Sequence, residues 1–326
     1  MSVAQSPPGQ PPVTVAVVSW NTRDLLAQCL RSLEPEVHAR RASVWVVDNG
    51  STDGSAELVK REAPWATLLE SGQNLGFGPA VDLVAAQTDS PWLAPANADV
   101  ALTPGALATL LAAAREPRVA VLAPRLVLPD GRTQHSVYPF PTIPFTLAFN
   151  LGLQRLSRRL GDRLCLEGYW DATRPRTVDW AIGAFLLVRR PAFQQVGGFD
   201  AQQWMYAEDL DLGWRLARAG YVTRYEPAAA VLHHDGAATS AAFGDQRVAR
   251  FTAATYQVLA RRRGAVRART TAAVSCLGAA ARLAWMAPLA RRGGRWRRER
   301  DLNRMWLRAH MQGLRARPPR PEGLKR

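Results

Sequence analysis

The chain has 326 residues, of which 47% are hydrophobic and 21% charged. This composition is typical of a globular protein with a sizeable core and excludes a wholly disordered, collagen-like or coiled-coil chain. The formal net charge is +15. Residues 261–326 hold 19 Lys and Arg against 3 Asp and Glu, a net +16, so the first 260 residues sum to −1. The excess charge therefore lies in this C-terminal segment, called here the basic tail.

Three features of the sequence indicate where the protein works in the cell. Residues 1–12 are proline-rich and lack the basic and apolar regions of a signal peptide, which predicts a short disordered lead. Cys29, Cys165 and Cys276 are odd in number and have no metal-ligand spacing, which favours reduced cytosolic thiols. Residues 272–290 are interrupted by an arginine and a proline, and so are a poor transmembrane candidate.

Strands and helices alternate along the first half of the chain. Apolar, often β-branched runs predict strands at residues 13–20, 43–47, 66–69, 90–94 and 119–127. Helical spacing of apolar residues predicts helices after residue 22, at 56–62 and after the Gly-rich stretch 71–80. This alternation indicates a parallel α/β sheet.

The second half is less regular. Residues 128–178 predict long loops over the sheet with one basic helix near 151–161, and residues 178–189 predict another strand. A helix is predicted at 208–219, and basic helices are predicted beyond residue 244.

Polar clusters follow four successive predicted strands. They are Trp20-Asn21, residues 48–55, residues 73–78 and residues 97–99. One Asp after a strand is ordinarily a turn or a helix cap, but four such clusters favour a ligand site at the carboxyl edge of the sheet. Asp48, Asp53 and Asp99 would repel a phosphate, and suit instead a hydrogen bond to a base or ribose and a hard divalent cation that neutralises a diphosphate.

Two further motifs leave alternatives open. The Gly-rich stretch is neither GxGxxG nor a Walker loop; its glycines serve either a helix-capping turn or the close approach of a ligand. In EDLD, Glu208, Asp209 and Asp211 either cap a helix or repel one another and so raise the proton affinity, as a general base requires. Arg215 lies one turn after Asp211 and is expected to pair with it.

Taken together, the motifs resemble those of the family-two glycosyltransferases of the GT-A fold, and within them the rhamnosyltransferase-like branch. The resemblance spans residues 13–240. The motifs are VVSWN (17–21), VVDNGSTDGS (46–55), NLGFGPAVD (74–82), NADV (97–100), GAFLLVRRPAFQQVGGFD (183–200), AEDLDLGWRLARAGY (207–221) and HHDGAATS (233–240). The resemblance implies an α/β GT-A fold with a mostly parallel central sheet, followed by a helical basic C-terminal extension.

The same resemblance implies a division of the chain. After the lead at 1–12, residues 13–115 would form the nucleotide-sugar-binding half, and residues 116–245 the acceptor-binding half with the catalytic base. Residues 246–326 would form the helical basic extension.

On the donor side, the resemblance implies that Asn21 and Asp48 hold a uracil or thymine base and its ribose, with Trp20 lining the pocket. Asp53 and Gly76 belong to segments that flank the nucleotide.

For the metal, Asp99 takes the place of the metal-binding Asp of the family's DxD element and would coordinate Mg²⁺ or Mn²⁺ on the donor's diphosphate. Asn97 at the first position of that element leaves one fewer carboxylate on the ion. His233 fits the family pattern HxxGxxS better than His234 and would contact the metal or the diphosphate. Asp82 replaces a frequent Asn, and no role is carried over to it.

The resemblance further implies a single inverting displacement in which Asp209 deprotonates the acceptor hydroxyl, with Glu208 and Asp211 orienting the acceptor or its loop. The expected donor is dTDP-rhamnose, and the expected acceptor is a cell-envelope glycan or a polyprenyl-diphosphate-linked sugar. Two other functions stay open: a non-catalytic nucleotide-sugar-binding protein, and a transferase using a UDP- or GDP-sugar with a soluble acceptor. The intact Asp99 and EDLD motif favour an enzyme.

The basic tail combines Arg clusters with Trp285, Trp296 and Trp306, a composition typical of helices on an anionic membrane surface. It predicts a cytoplasmic enzyme, peripheral on the inner face of the plasma membrane. A solvated helix pair packing on the catalytic domain is the alternative. Nucleic-acid binding ranks last because no nucleic-acid module accompanies the charge.

Overall fold

The structure, a computed structural model, describes residues 11–235, 246–290 and 293–316. Its contacts divide these residues into two compact units. The first unit comprises the described residues up to 138 and from 165 to 235. The second comprises residues 139–164 and the described residues from 246 onward. No pattern in the sequence indicated that residues 139–164 group with the C-terminal helices. Residues 1–10 of the predicted lead lie outside the described part of the chain.

Eleven strands are defined within the described residues of the first unit. They are β1 (Val13–Ser19), β2 (Ala42–Asp48), β3 (Thr67–Glu70), β4 (Trp92–Asn97), β5 (Val100–Leu102), β6 (Val119–Val127), β7 (Val137–Tyr138), β8 (Arg176–Val178), β9 (Trp180–Ala181), β10 (Leu187–Arg189) and β11 (Val222–His233). Nine form one sheet, in the order β3-β2-β1-β4-β10-β6-β11-β5 with β8 paired to β11, while β7 and β9 form a separate pair. In the large sheet β10, β5 and β8 run antiparallel to their neighbours and the other strands run parallel. The predicted mostly parallel α/β sheet is therefore confirmed.

The helices are divided between the two units. The first unit contains α1 (Arg23–His38), α2 (Ser55–Glu62), α3 (Phe77–Gln87), α4 (Ala106–Ala113), α7 (Arg190–Gln195) and α8 (Glu208–Arg218). The second contains α5 (Ile143–Asn150), a 3₁₀ turn (Leu153–Arg155), α6 (Arg158–Arg163), α9 (Gln246–Arg263), α10 (Ala265–Ala290) and α11 (Gly294–Gly313). The predicted helical C-terminal region is thus present. None of the described helices is both long and apolar enough to cross a bilayer.

The central sheet has a hydrophobic core on each face. Val13, Val15 and Val17 of β1 belong to one core with Leu26 of α1, whereas Ala16 belongs to the core on the opposite face. Burial on both faces explains why β1 reads as a continuous apolar run without alternation.

The strand register brings the predicted clusters to one edge. Ser19 pairs with Asp48 at the ends of β1 and β2, and Val18 pairs with Asn97 at the end of β4. Because these parallel strands end level with one another, the polar segments that follow them start from the same edge of the sheet, where open α/β sheets bind ligands.

The prediction of one strand over residues 178–189 is wrong. Three short strands, β8, β9 and β10, occupy this stretch and pair with different neighbours. The chain leaves the extended ladder around Gly183, whose backbone N–H donates a hydrogen bond to a side-chain oxygen of Asp209.

The single basic helix predicted near 151–161 is also wrong. Gly152 adopts a left-handed conformation (φ +75°) that ends α5, and Ser157 begins α6 by accepting a hydrogen bond from the N–H of Leu160. Helical spacing of side chains alone does not reveal that Gly152 takes a left-handed backbone conformation.

Candidate active site

Asp48 ends β2 with one carboxylate oxygen satisfied and the other unpaired. Its Oδ2 accepts a hydrogen bond from the N–H of Ser51 (3.1 Å). Its Oδ1 is buried and has no hydrogen-bond partner within the described residues. A buried carboxylate oxygen without a donor is costly, so this position suits a ligand that supplies an N–H or O–H.

Asn21 joins the end of β1 to the turn after β2. It adopts a left-handed backbone (φ +51°), its N–H donates to Ser51 Oγ (3.0 Å), and its Oδ1 accepts from the N–H of Thr52 (2.8 Å). Trp20 beside it is half-buried. The structure thus brings Trp20, Asn21 and Asp48 together around one turn.

Asp53 is committed to local structure. Its Oδ2 accepts from the N–H of Arg23 (2.9 Å), and its Oδ1 accepts from the N–H (3.1 Å) and hydroxyl (2.6 Å) of Ser55. Burial would raise the pKa of Asp53, but the hydrogen bonds from Ser55 and Arg23 hold that pKa below its usual value. Asp53 therefore fixes the starts of α1 and α2 relative to each other.

Gly76 lies where the Gly-rich segment meets the loop before α8. It has φ +88°, and an added Cβ would lie 2.1 Å from the carbonyl oxygen of Trp204. The indole N–H of Trp204 donates to the carbonyl of Asn74 (3.2 Å). Only glycine fits this close approach, which ties the Gly-rich segment to the loop leading to EDLD.

Asn49 was missed by the sequence analysis. It is buried, and its Nδ2 donates to Asn74 Oδ1 and to the carbonyl of Gly76 (both 3.1 Å). Its Oδ1 accepts from the N–H of Leu75 (3.0 Å). The DNGS turn marked a site, but nothing in its pattern indicated that this Asn holds the Gly-rich segment.

Asp99 and His233 lie side by side at the edge of the sheet. The antiparallel pairing of β5 with β11 places His233 opposite Val100, next to Asp99. Both residues are buried, and His233 Nε2 is 3.4 Å from Asp99 Oδ1. Asn97 begins the same segment, and its N–H donates to the carbonyl of Ala184 (2.9 Å).

Gln134 sets the orientation of the His233 ring. His233 Nδ1 is 2.7 Å from the amide oxygen of Gln134, which only accepts, so Nδ1 carries a proton. In the neutral imidazole, Nε2 then presents a lone pair towards Asp99 Oδ1, a contact that a shared cation would stabilise. No motif in the sequence indicated this role for Gln134.

The two histidines of the HHDG motif take different places. His234 donates its backbone N–H to the carbonyl of Asp99 (3.0 Å), and its Nε2 is buried without a hydrogen-bond partner within the described chain. Of these two histidine side chains, that of His233 faces the Asp99 carboxylate. Residues 236–240 of this motif lie outside the described residues. In the ranges the structure describes, no three His, Cys, Asp or Glu side chains form a metal-binding group.

EDLD begins α8 without capping it. The residue before the helix, Ala207, has φ +61°, and no side-chain cap is present. Asp209 Oδ2 accepts from the N–H of Gly183 (2.9 Å), and Oδ1 accepts from the N–H of Leu210 (2.7 Å). Glu208 Oε2 is buried and has no hydrogen-bond partner in the described structure.

Burial changes the acidity of this carboxylate pair. It raises the pKa of Asp209 above the usual range, against the lowering effect of the N–H groups of Gly183 and Leu210. Burial raises the pKa of Glu208 further, and the neighbouring Asp209 adds to the shift. The two N–H groups that donate to Asp209 favour its ionised form, whereas Glu208 Oε2 has no donor, so Asp209 is the member of the pair that ionises first. Its raised pKa leaves it appreciable basicity when ionised.

Asp211 forms the expected pair with Arg215. It is fully buried, and Arg215 Nε donates to its Oδ2 (2.7 Å). Arg215 Nη1 also donates to the carbonyl of Val196 (2.7 Å), so the pair secures α8 to the end of α7.

The sequence matches two family models. "Glycosyl transferase family 2" matches residues 14–170, and "Glycosyl transferase family group 2" matches residues 97–296, more than half of the chain. The chain belongs to the family-two glycosyltransferases.

Relatives within this glycosyltransferase family include two rhamnosyltransferases. The N-acetylglucosaminyl-diphospho-decaprenol L-rhamnosyltransferase of Mycobacterium tuberculosis is 36% identical over 250 residues, 69% of this chain and 76% of the relative. Rhamnosyltransferase WbbL of Escherichia coli K12 is 29% identical over 232 residues, 68% of this chain and 83% of the relative.

Solved structures support the GT-A fold of this glycosyltransferase. The mannosyltransferase PcManGT from Pyrobaculum calidifontis, in complex with GDP-mannose and Mn²⁺, superposes with a TM-score of 0.59 at 18% identity, over 96% of this chain and 89% of that one. GalNAc-T7 with UDP, GalNAc and Mn²⁺ gives a TM-score of 0.54 at 14% identity, over 78% of this chain and 48% of that one. At these identities the likeness concerns the fold alone.

Proposed function

We propose that this glycosyltransferase transfers L-rhamnose from dTDP-rhamnose to an N-acetylglucosaminyl-diphospho-polyprenol acceptor, with inversion at the anomeric carbon. The names of the two rhamnosyltransferase relatives support the sugar, and the mycobacterial name supports the acceptor. The observation that carries the chemistry is the half-buried Asp209 carboxylate, held by the N–H of Gly183 beside a buried, unpaired Glu208 oxygen.

The donor nucleotide would bind at the carboxyl edge of β1, β2 and β4. The unpaired Oδ1 of Asp48 would accept a hydrogen bond from the N–H of the base or a ribose hydroxyl, and Trp20 and Asn21 would line the same pocket. Asp53 and Gly76 would contribute indirectly. Asp53 would hold the turn beside the nucleotide, and Gly76 would let the Gly-rich segment take its position there.

Asp99 and His233 fit a divalent cation, Mg²⁺ or Mn²⁺, near Asn97 at the end of β4. Their facing oxygen and nitrogen atoms, 3.4 Å apart, are close enough to bind one ion. Mg²⁺ commonly takes only one or two carboxylates from the protein and completes its shell with substrate phosphates and water. When bound, the ion would neutralise negative charge on the nucleoside diphosphate leaving group.

Asp209 would take the proton of the acceptor hydroxyl as that oxygen attacks the anomeric carbon from the face opposite the leaving nucleotide. The N–H of Gly183 holds the carboxylate in place, so the base is positioned before the acceptor arrives. Glu208, with its higher pKa, would keep its proton at neutral pH and spare Asp209 a second buried charge. Asp211 would be a positioning residue, acting through Arg215.

A lipid-linked acceptor requires the enzyme to work at a membrane. We propose a cytoplasmic enzyme bound peripherally to the inner leaflet through the basic tail, since clustered arginines bind anionic lipids. A transferase with a soluble acceptor and another nucleotide-sugar, and a binding protein without catalysis, are the alternatives.

Thermal unfolding with ligands tests the donor and metal assignments. We expect dTDP-rhamnose with Mn²⁺ or Mg²⁺ to raise the Tm more than UDP- or GDP-sugars, and EDTA to remove the effect. His233→Gln should reduce the metal-dependent rise, while the matched His234→Gln should retain it. Equal shifts for all three nucleotides would refute the dTDP assignment. An EDTA-insensitive shift, or equal loss in both variants, would refute the metal site.

A further inference from the structure

Exposed apolar side chains are concentrated in the second unit. Of the thirteen large hydrophobic residues exposed among the described residues, eleven belong to this unit. Five lie within ten residues of one another, in a stretch called here the apolar segment: Leu147, Phe149, Leu151, Leu153 and Leu156. Leu151 and Leu156 are 67% and 83% exposed. Single exposed leucines are ordinary, but a cluster of this kind marks an interaction surface.

The apolar segment is fixed by polar contacts that leave its leucines outside. Arg282 of α10 donates to Asn150 Oδ1 (3.0 Å) and to Asn303 Oδ1 of α11 (2.8 Å). Gly278 allows this approach, because an added Cβ there would collide with Asn150 Oδ1. Buried Thr146 and half-buried Asn150, one turn apart on α5, lie on the side that packs against α10, whereas Leu147 and Phe149 remain exposed.

Arginines flank the apolar segment. Arg155, Arg158, Arg159 and Arg163 are exposed within or directly after it. Over residues 139–164 and 243–326 the sequence has 25 Lys and Arg against 5 Asp and Glu, a net +20, and the remaining residues therefore sum to −5. The strongly basic unit is also the unit that exposes the apolar side chains.

We propose that the apolar segment inserts its side chains into the interfacial region of an anionic lipid bilayer, while the neighbouring arginines bind the lipid headgroups. This goes beyond the proposed function and beyond the basic tail, because it assigns the membrane contact to residues 147–159, which lie outside the tail. Charge complementarity selects the occupant. A second copy would bring another +20 against the first, and a nucleic acid would pair with the arginines but leave the leucines in water.

Co-flotation with vesicles tests the proposal on the full chain. We expect binding to phosphatidylglycerol-containing vesicles and little binding to pure phosphatidylcholine. The double variant Leu151→Ser/Leu156→Ser should weaken binding about tenfold or more, because neither serine gains from burial among the lipid chains as leucine does. Arg158→Ser/Arg159→Ser should weaken it about thirtyfold, because two charges that attract the anionic headgroups are lost. Leu83→Ser, at an exposed leucine of the first unit, is the matched control and should bind as wild type.

Three results would overturn the proposal. If the leucine variant floats as well as wild type, no insertion occurs. If wild type binds duplex DNA but no vesicle, the surface serves nucleic acid; if it forms a dimer that the leucine variant abolishes, the surface serves a second copy. Rhamnosyl transfer to a detergent-dispersed acceptor should be unchanged in the leucine variant. If the wild type floats with vesicles but transfers no rhamnose, the proposed function is refuted, whereas the membrane contact of the apolar segment is not.

Discussion

Buried carboxylates set the chemistry at the scale of single residues. Asp48, Asp99 and Asp211 are each buried, but in different surroundings. Asp48 has an unpaired oxygen, Asp99 faces a histidine, and Asp211 is paired with an arginine. Their environments assign different tasks to the same functional group. The carboxylates were evident from the sequence, but their tasks depend on neighbouring side chains. Gln134 orients the His233 ring that faces Asp99, and Arg215 pairs with Asp211. Of these two contacts, only the Arg215 pair follows from helical spacing.

Asp209→Asn tests the base. We expect transfer to fall about 10²–10⁴-fold, the usual contribution of general base catalysis, with donor binding retained. Asp82→Asn is the matched control, because burial raises the pKa of Asp82 to about 6 as well, although this carboxylate binds the N–H of Phe199 and carries no proposed catalytic role. Steady-state transfer rates and donor binding measured on both variants decide the matter. Full activity in Asp209→Asn would exclude it as the base.

The pH profile tests why Asp209 has a raised pKa. Transfer should decline as the pH falls through that pKa, at a pH above the range of an ordinary aspartate, because the protonated base cannot accept a proton. Glu208→Gln should leave this acidic limb in place, since burial raises the pKa of Asp209 and Glu208 is already neutral there. If the acidic side of the pH–rate profile moved by one pH unit or more in this variant, repulsion by Glu208 would set the pKa of Asp209.

The same shift has a consequence for stability. A carboxyl whose folded pKa is raised costs stability when it is ionised, so the cost is present above the folded pKa and absent below the unfolded one. Asp209→Asn should therefore have a higher Tm than wild type at pH 8, with the difference vanishing near pH 4. A variant less stable than wild type at pH 8 would contradict this account.

At the scale of elements, the sheet follows from the sequence more closely than the connections do. Continuous β-branched runs predicted β1, β2 and β6 because both faces of these strands are buried. The region around β8, β9 and β10 was misread as one strand. At the break between β9 and β10, the N–H of Gly183 donates to Asp209 instead of to a neighbouring strand, a contact between residues 26 positions apart that no local pattern encodes.

The Gly-rich segment offers a prediction at this scale. Gly76→Ala should destabilise the fold by about 2 kcal/mol more than Gly72→Ala, because its Cβ collides with the Trp204 carbonyl. Gly72 has a similar left-handed backbone (φ +70°) and no atom within 4 Å of an added Cβ, so it carries the backbone strain alone. Urea unfolding of both variants measures the difference. If both variants lost the same free energy of unfolding, the Trp204 loop would move away from the added methyl group at no energetic cost.

At the scale of the whole molecule, charge and apolar exposure coincide in one unit. The sequence located the positive charge in the basic tail but did not reveal that residues 139–164 join the same unit. Contacts such as Arg282 with Asn150 span 132 positions, and neither composition nor periodicity carries that information. The family motifs, in contrast, predicted the GT-A fold, because their order along the chain reflects the order of the strands that carry them.

The most direct test of the central claim is transfer of a single rhamnose by the purified full chain. It should use dTDP-rhamnose, a metal ion and a synthetic N-acetylglucosaminyl-diphospho-prenol, with the product's anomeric configuration read by NMR. We predict one rhamnose per acceptor, with inversion at the anomeric carbon and loss of product in Asp209→Asn. A product with retained configuration would contradict the single displacement with Asp209 as base, and no product with this donor and acceptor would contradict the assigned reaction.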